Sequence, residues 1–311
     1  MSEKTAVPQF VKSPAPITFG ATASPASFHD YLELTKPRLS MLSVVTALVG
    51  YCAARPPWNF QEMICLLIGT MLAAGGVATL NQWMEIETDA RMHRTADRPI
   101  PSGRVPAGSA FVLGAAMCTV GLGLLFAKTN GMCALLALLT YVSYLAIYTP
   151  AKKWSRWSTE IGAVAGALPP LIGATAADNG ISPLSWMLFG VLFFWQVPHF
   201  MAVAWTYRRD YAAADFPMLS VLDASGKRVA RWAFINALLL VAVSVLPALT
   251  GWCSMVYLGA AMTLGAWLLW RAAVFLRAAN RDSGARKLFF ATIIYLPLLL
   301  GALVADRLMF Y

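Results

Sequence analysis

At 311 residues, with 59% hydrophobic and only 13% charged side chains, the chain departs from soluble-domain composition and excludes an ordinary water-soluble enzyme. Its net charge of +9 is explained by basic loops and contact with anionic lipid, so no nucleic-acid partner need be invoked. Its five cysteines (Cys52, Cys65, Cys118, Cys133 and Cys253) are scattered without CxxC or Cys/His spacing, which supports neither a disulfide frame nor a zinc site.

In chain order, residues 1–30 are rich in Pro, Ser, Thr and Ala. They lack an apolar core beside a basic start and predict a disordered tail with no cleavable signal. The remainder, 31–311, reads as one intramembrane domain. Nine apolar runs predict transmembrane helices at about 39–55, 60–82, 107–127, 131–149, 160–177, 183–206, 230–250, 253–276 and 288–307. All read as helices, because lipid offers backbone groups no other partner. The fifth contains Pro169–Pro170, which predicts a kink or break. The expected fold class is therefore all-α, a polytopic membrane protein.

The loops predict the orientation. Of the 24 basic residues, all but Arg55, Lys128 and Arg307 fall on one side of this topology. The positive-inside rule then puts the N-terminus and the basic loops in the cytoplasm and the C-terminus outside. Two acidic clusters lie on that same side, Glu85, Glu87, Asp89 and Asp97 after span two, and Asp210, Asp215 and Asp223 after span six. Their spacing of four spans suggests a weak duplication of a four-helix unit.

The stretch NQWMEIETDARMHRTADRPIPS at 81–102 carries the chemistry. Asn81, Glu85 and Asp89 recur every four residues, which predicts one helix face spread over about 12 Å. Such a ladder can hold a divalent cation against a phosphorylated substrate. A lipid-soluble allylic diphosphate fits the whole pattern. Its leaving group needs Mg²⁺ on oxygen ligands and basic groups around the phosphates, and its tail needs a dry tunnel. Arg94, Arg98, Lys152, Lys153, Arg208 and Arg209 are the candidates for neutralising the leaving group. Each charge also has a plainer reading as a topology determinant or a surface ion pair. His199 follows Pro198 inside a span, either as a hydrogen-bonded interior histidine or as a ligand or acid/base. Gly162, Gly166 and Gly173 predict close helix packing.

Four stretches in this order carry a resemblance: LTKPRLSML at 34–42, NQWMEIETDARMHRTADRP at 81–99, YTPAKKWS with GAVAGALPPLIG over 148–173, and WQVPHFMAVAWTYRRDYAAADFPML at 195–219. The chain resembles the UbiA superfamily of intramembrane prenyltransferases over roughly 31–308. The GALPPLIG and the PHF with RRDY segments resemble its heme-modifying branch. The resemblance implies nine helices around a central cavity. It also implies Mg²⁺-dependent transfer of farnesyl from farnesyl diphosphate to a vinyl group of heme B, with water adding, to give heme O in a bacterial inner membrane. On this resemblance Asn81, Glu85, Asp89 and Asp210 are metal ligands, and Arg94, Arg98, Lys152, Lys153 and Tyr211 are further catalytic positions. Lys36, Arg38, His199, Arg208 and Arg209 are substrate-binding, with His199 either ligating the heme iron or orienting the water. Heme B is a substrate rather than a cofactor. A heme A synthase or a terminal oxidase is the partner class implied, with physical contact left open.

The chain departs from the family pattern at Glu85, where most members carry Asp, at Ser158 in place of Asn, and at Ser220 in place of Pro. Asp210 and Asp215 are five apart, which leaves open whether the second cluster binds metal. Two other readings stand beside this one. In one, a UbiA relative acts on another aromatic or tetrapyrrole acceptor. In the other, the chain is a heme carrier or transporter built on the broken fifth helix.

Overall fold

The computed structural model describes residues 26–54, 59–277 and 281–311. Residues 1–25 of the predicted tail lie outside the described residues, as do the predicted loop charges Lys4, Lys12 and Arg55, whereas Phe28–Asp30, also expected in that tail, open a helix because Ser27 caps it. The Ser27 hydroxyl accepts the Asp30 amide while the Asp30 carboxylate accepts the Ser27 amide in return, a capping box that starts α1 (Phe28–Leu34).

Every described element is helical. After α1 come α2 (Pro37–Ala54), α3 (Phe60–Met84), α4 (Ile86–Arg91), α5 (Ala107–Lys128) and α6 (Gly131–Val142). A π-helical turn (Ser143–Tyr148) and α7 (Thr149–Ala151) extend α6. Then follow α8 (Ser158–Ala167), α9 (Pro169–Asp178), α10 (Pro183–Thr206), α11 (Arg208–Ala213), α12 (Leu219–Leu222), α13 (Lys227–Leu249), α14 (Met255–Leu276) and α15 (Arg281–Phe310). Among the described residues nine stretches are long and apolar enough to cross a membrane, in the predicted order. The fifth span breaks where expected. α8 stops at Ala167, and Pro169 and Pro170 occupy the first turn of α9, where a missing N–H costs nothing. The ninth starts at Arg281, seven residues earlier than its apolar run, because two turns bearing Arg281, Asp282, Arg286 and Lys287 continue the helix beyond its apolar stretch.

Close backbone approach shapes one half of the molecule. A Cβ on Gly173 of α9 would collide with the Ala47 carbonyl of α2, and a Cβ on Gly50 would collide with Pro170. These glycines let α2 and α9 pack backbone to backbone. In the other half, α10, α13, α14 and α15 share a core that includes Trp195, Trp205, Tyr257, Phe275 and Tyr295. All five cysteines are free and buried or half-buried, in keeping with packing roles.

The basic loops converge at one end. Lys36 Nζ donates to Asn81 Oδ1 at 3.1 Å, Arg91 pairs with Asp215 at 3.3 Å, and Arg208 pairs with Asp282 at 3.3 Å. The opposite end is tied by Arg307 Nε donating to the Ala53 carbonyl at 3.0 Å and by Ser254 N–H donating to Asp306 at 2.8 Å. The suspected duplication has a structural trace. Spans two and six, α3 and α10, are each followed at once by a six-residue helix, α4 and α11.

Candidate active site

A cavity of about 310 Å³ opens among α2, α3, α6, α8, α9 and α10 at the basic end. Its depth is lined by small and apolar groups such as Ala73, Val77, Ala137 and Ile172, and its mouth by Lys36, Asn81, Glu85, Asp89, Arg94, Arg98 and Lys152. Dry walls beneath a charged rim suit a molecule with an apolar tail and an anionic head.

The acidic ladder forms, but on two helices rather than on one face. The helix that carries Asn81 ends at Met84. The Glu85 amide is shared between the Asn81 and Gln82 carbonyls at 3.1 and 3.3 Å, and α4 begins afresh at Ile86. The Glu85 carboxylate turns toward Lys152, whose Nζ lies 2.8 Å from Oε1 and 3.0 Å from Oε2. Asn81 bridges the rim, accepting from Lys36 and donating to Glu85 Oε2 at 3.0 Å and to Thr149 Oγ1 at 3.2 Å. Asp89 Oδ2 accepts from Arg98 at 2.6 Å, while its Oδ1 is buried with no hydrogen-bond partner. Lys36 reaches the rim from a left-handed backbone (φ 46°), unusual for a non-glycine residue.

The electrostatics follow from crowding. Burial, reinforced by the charges of Arg98 and Lys152, pushes the Lys36 ammonium down to about 7, against the pull of Glu85 and Asp89. Burial works against the Glu85 charge as well, but Lys152, Lys36 and the Asn81 bond hold its carboxyl below the usual range. For Asp89, burial outweighs Arg98 and the carboxyl is raised. Burial also opposes the Lys152 charge, and Tyr148 and Glu85 more than restore it.

This donor set fits a hard divalent cation. Two carboxylates and an amide oxygen meet at one rim, with an orphaned carboxylate oxygen on Asp89, and Mg²⁺ typically takes only one or two carboxylates plus substrate phosphates.

The second predicted cluster is distributed differently. On α11 it is Tyr211 that lines the cavity, whereas Asp210, one residue and about 100° away, does not. Arg208 donates to the Trp205 carbonyl at 2.7 Å and lies over its ring at 4.3 Å, away from the rim. Arg209, Lys153 and Arg38 are exposed and outside the cavity lining. Asp215 pairs with Arg91, and Asp223 accepts the Arg228 and Val229 amides at 2.6 and 3.2 Å at the start of α13. His199 sits beside the cavity rather than in its lining. The two clusters nevertheless meet. Arg94 lies 5.3 Å over the Tyr207 ring, and Met92 packs with Ala214 and Phe216.

Several lining residues were not singled out from sequence. The π-turn brings Tyr144 and Tyr148 onto the cavity, edge to face with centroids 5.0 Å apart, and such turns frequently mark functional sites. Gln196 of α10 donates to the Ala163 carbonyl at 3.2 Å, and a Cβ on Gly166 would strike its side-chain oxygen, so that glycine makes its room. An amide inside an apolar span, three residues before His199, was the available signal.

Comparison with known proteins agrees with this geometry. Residues 43–294 match the profile described as the UbiA prenyltransferase family. A protoheme IX farnesyltransferase from Opitutus terrae is 64% identical over 286 residues, covering 92% of this chain and 97% of that protein. Among solved structures, digeranylgeranylglyceryl phosphate synthase has a TM-score of 0.76 at 17% identity, covering 90% of this chain and 98% of the other. A UbiA homolog from Archaeoglobus fulgidus bound to GPP and Mg²⁺ has a TM-score of 0.62 at 12% identity, covering 88% and 99%. The nine-span bundle, the rim of carboxylates and cations over an apolar cavity, and the extent of these matches agree: the chain belongs to the UbiA prenyltransferase family.

Proposed function

We propose that this enzyme transfers a farnesyl group from farnesyl diphosphate to a vinyl group of heme B, with addition of water, giving heme O. The observation that carries the reading is the rim of Asn81, Glu85 and Asp89 set among Lys36, Arg94, Arg98 and Lys152 over an apolar cavity. The relative from Opitutus terrae supports the choice of acceptor.

Asn81, Glu85 and Asp89 are the proposed holders of Mg²⁺. When bound, it supplies positive charge to the leaving diphosphate. Lys36, Lys152, Arg94 and Arg98 bind the same phosphates and stabilise the charge that grows as the allylic C–O bond breaks and its electron pair leaves with the diphosphate. The apolar walls keep water from the allylic cation, and the faces of Tyr144 and Tyr148 stabilise it. The vinyl π electrons form the new C–C bond. The cation left beside the porphyrin takes up a water oxygen, and the water proton is lost. Tyr211 closes the rim from α11. Arg208, Arg209 and Asp210 shape that loop rather than touch phosphate, and Lys153 and Arg38 draw anionic substrate and lipid to the mouth.

We infer a bacterial cytoplasmic membrane with the N-terminus and the rim in the cytoplasm and the C-terminus outside, because the loop charges gather at the rim's end. A heme A synthase or a terminal oxidase is the candidate consumer of the product.

The test is an acceptor panel. Purified protein with farnesyl diphosphate and Mg²⁺ is expected to release diphosphate with heme B and not with 4-hydroxybenzoate or a chlorophyllide. Release with another acceptor alone would retain prenyl transfer and discard heme.

A further inference from the structure

The first turn of α8 is left open at the cavity. This helix runs for ten residues from Ser158, and no side chain caps it. The Ser158 amide donates to the Ser155 carbonyl at 3.3 Å, and the Ile161 amide donates to the Trp157 carbonyl at 3.1 Å. The Thr159 amide has no acceptor among the described residues. Ser158 is 1% exposed, and its hydroxyl is buried with no hydrogen-bond partner. Hydroxyls kept only for packing behave otherwise in this same lining. Ser40 and Thr140 donate to the backbone carbonyls of Thr35 and Leu136, at 2.7 and 2.9 Å. A buried helix start that leaves both an amide and a hydroxyl unpaired costs free energy unless something outside the chain accepts from them.

The open turn faces the charged mouth. Ser158, Thr159, Gly162 and Gly166 all line the cavity, so one face of α8 is cavity wall from its first turn down. Helical Cβ atoms tilt toward the N-terminus, which turns the Ser158 side chain toward the mouth. The Tyr148 ring links this turn to the rim. A Cβ on Gly162 would strike that ring, and Lys152 Nζ lies 4.5 Å from its centroid. The acidic residue of the turn, Glu160, is outside the lining, and its carboxylate accepts the Trp232 indole N–H from α13. Thr70 has a second unpaired buried hydroxyl in the lining, but it lies about 16 Å below Asn81 along α3, among the walls for the tail. At the mouth, then, an amide that can only donate and an unpaired hydroxyl share a cavity with Lys36, Arg94, Arg98 and Lys152. An anion rich in acceptor oxygens satisfies all of them.

We propose that the first turn of α8 is a further binding site for the donor's diphosphate, with the Ser158 hydroxyl and the Thr159 amide donating to its oxygens. Both bonds strengthen as the allylic C–O bond breaks and charge gathers on the leaving group. The four cations attract the head group, and these two neutral donors fix its direction. This inference rests on the donor being a prenyl diphosphate and is independent of the acceptor.

The test uses full-length protein in lipid nanodiscs with Mg²⁺. Farnesyl S-thiolodiphosphate (an unreactive donor analogue), uncharged farnesol and protoheme are titrated separately. Ser158→Ala is expected to bind the thiolodiphosphate at least about tenfold more weakly, the scale of one hydrogen bond to a charged group, and to bind farnesol as wild type does. In wild type labelled with ¹⁵N-threonine, the Thr159 amide signal, identified by its absence from Thr159→Val, is expected to move downfield with the thiolodiphosphate and not with farnesol. Unchanged thiolodiphosphate affinity in Ser158→Ala, or an unmoved Thr159 amide, would overturn the proposal and leave the transferase function standing. Equal weakening of thiolodiphosphate and farnesol would mark a packing defect and overturn it too. Weakened protoheme binding with unchanged thiolodiphosphate binding would overturn it by assigning the turn to the porphyrin carboxylates. A wild type that binds no thiolodiphosphate would overturn both this site and the choice of donor.

Discussion

Lys152 holds both oxygens of Glu85, at 2.8 and 3.0 Å, and so joins the end of α3 to the loop that follows α7. Both side chains are largely buried, at 15% and 7% relative exposure. A buried pair gains little over an apolar substitute, but a lone buried charge is expensive. Lys152→Met is therefore expected to cost about 3–5 kcal/mol, and Glu85→Gln with Lys152→Met to recover a large part of it. Thermal melts of the detergent-solubilised single and double variants measure the difference. A double variant no more stable than Lys152→Met would break the account of this pair.

Asp89 has one oxygen committed to Arg98 and the other buried without a partner. Asp89→Asn removes the charge while keeping the shape. The Mg²⁺ concentration giving half-maximal rate is expected to rise by at least about 10- to 100-fold, the scale typical when a metal site is perturbed. A chelator should stop the wild-type reaction, and added Mg²⁺ should restore it. A Mg²⁺ titration unchanged in Asp89→Asn would remove this carboxylate from the metal site.

The two residues of α11 separate cleanly. Tyr211 lines the cavity and Asp210 does not. Tyr211→Ala is expected to lower kcat/KM about tenfold or more, equivalent to about 1.4 kcal/mol. Asp210→Asn is expected to leave it within about a factor of two. The reverse ranking would place Asp210 at the metal after all.

Asp223 gives a pH dependence of stability away from the site. Burial opposes its charge, but the Ser225 hydroxyl and the Val229 and Arg228 amides hold the carboxyl below the usual range. A depressed native pKa means that this stabilisation is complete above the ordinary carboxylate value and fades as the pH falls through the lower native value. Asp223→Ala should lose about 1 kcal/mol at pH 7. The gap to wild type should close as the pH drops below about 4. Melting curves from pH 7 to pH 3 follow it, and a gap independent of pH would contradict the assignment.

The membrane architecture was legible because lipid allows an apolar run of about 20 residues only one backbone solution. The break in span five was legible for a similar reason, since Pro169 and Pro170 cannot continue a helix that needs their N–H groups. The rim was half legible. Spacing brought Asn81, Glu85 and Asp89 together, but nothing in a four-residue repeat reports that the helix stops at Met84 or that Glu85 then meets Lys152, 67 residues further along the chain. Nor does spacing say which side of a six-residue helix faces inward, so Asp210 was expected at the metal although it is Tyr211 that lines the cavity. The π-turn at Tyr144 and Tyr148 has no sequence period of its own, and its two rings went unassigned.

The most direct measurement is the mass of the pigment formed by purified protein, heme B, farnesyl diphosphate and Mg²⁺, with Glu85→Gln run alongside. Wild type is expected to form a new heme heavier by one farnesyl group plus one water, only when Mg²⁺ is present, and the variant at least tenfold less of it. Unmodified heme B in every reaction, while diphosphate is still released toward a different acceptor, would contradict it.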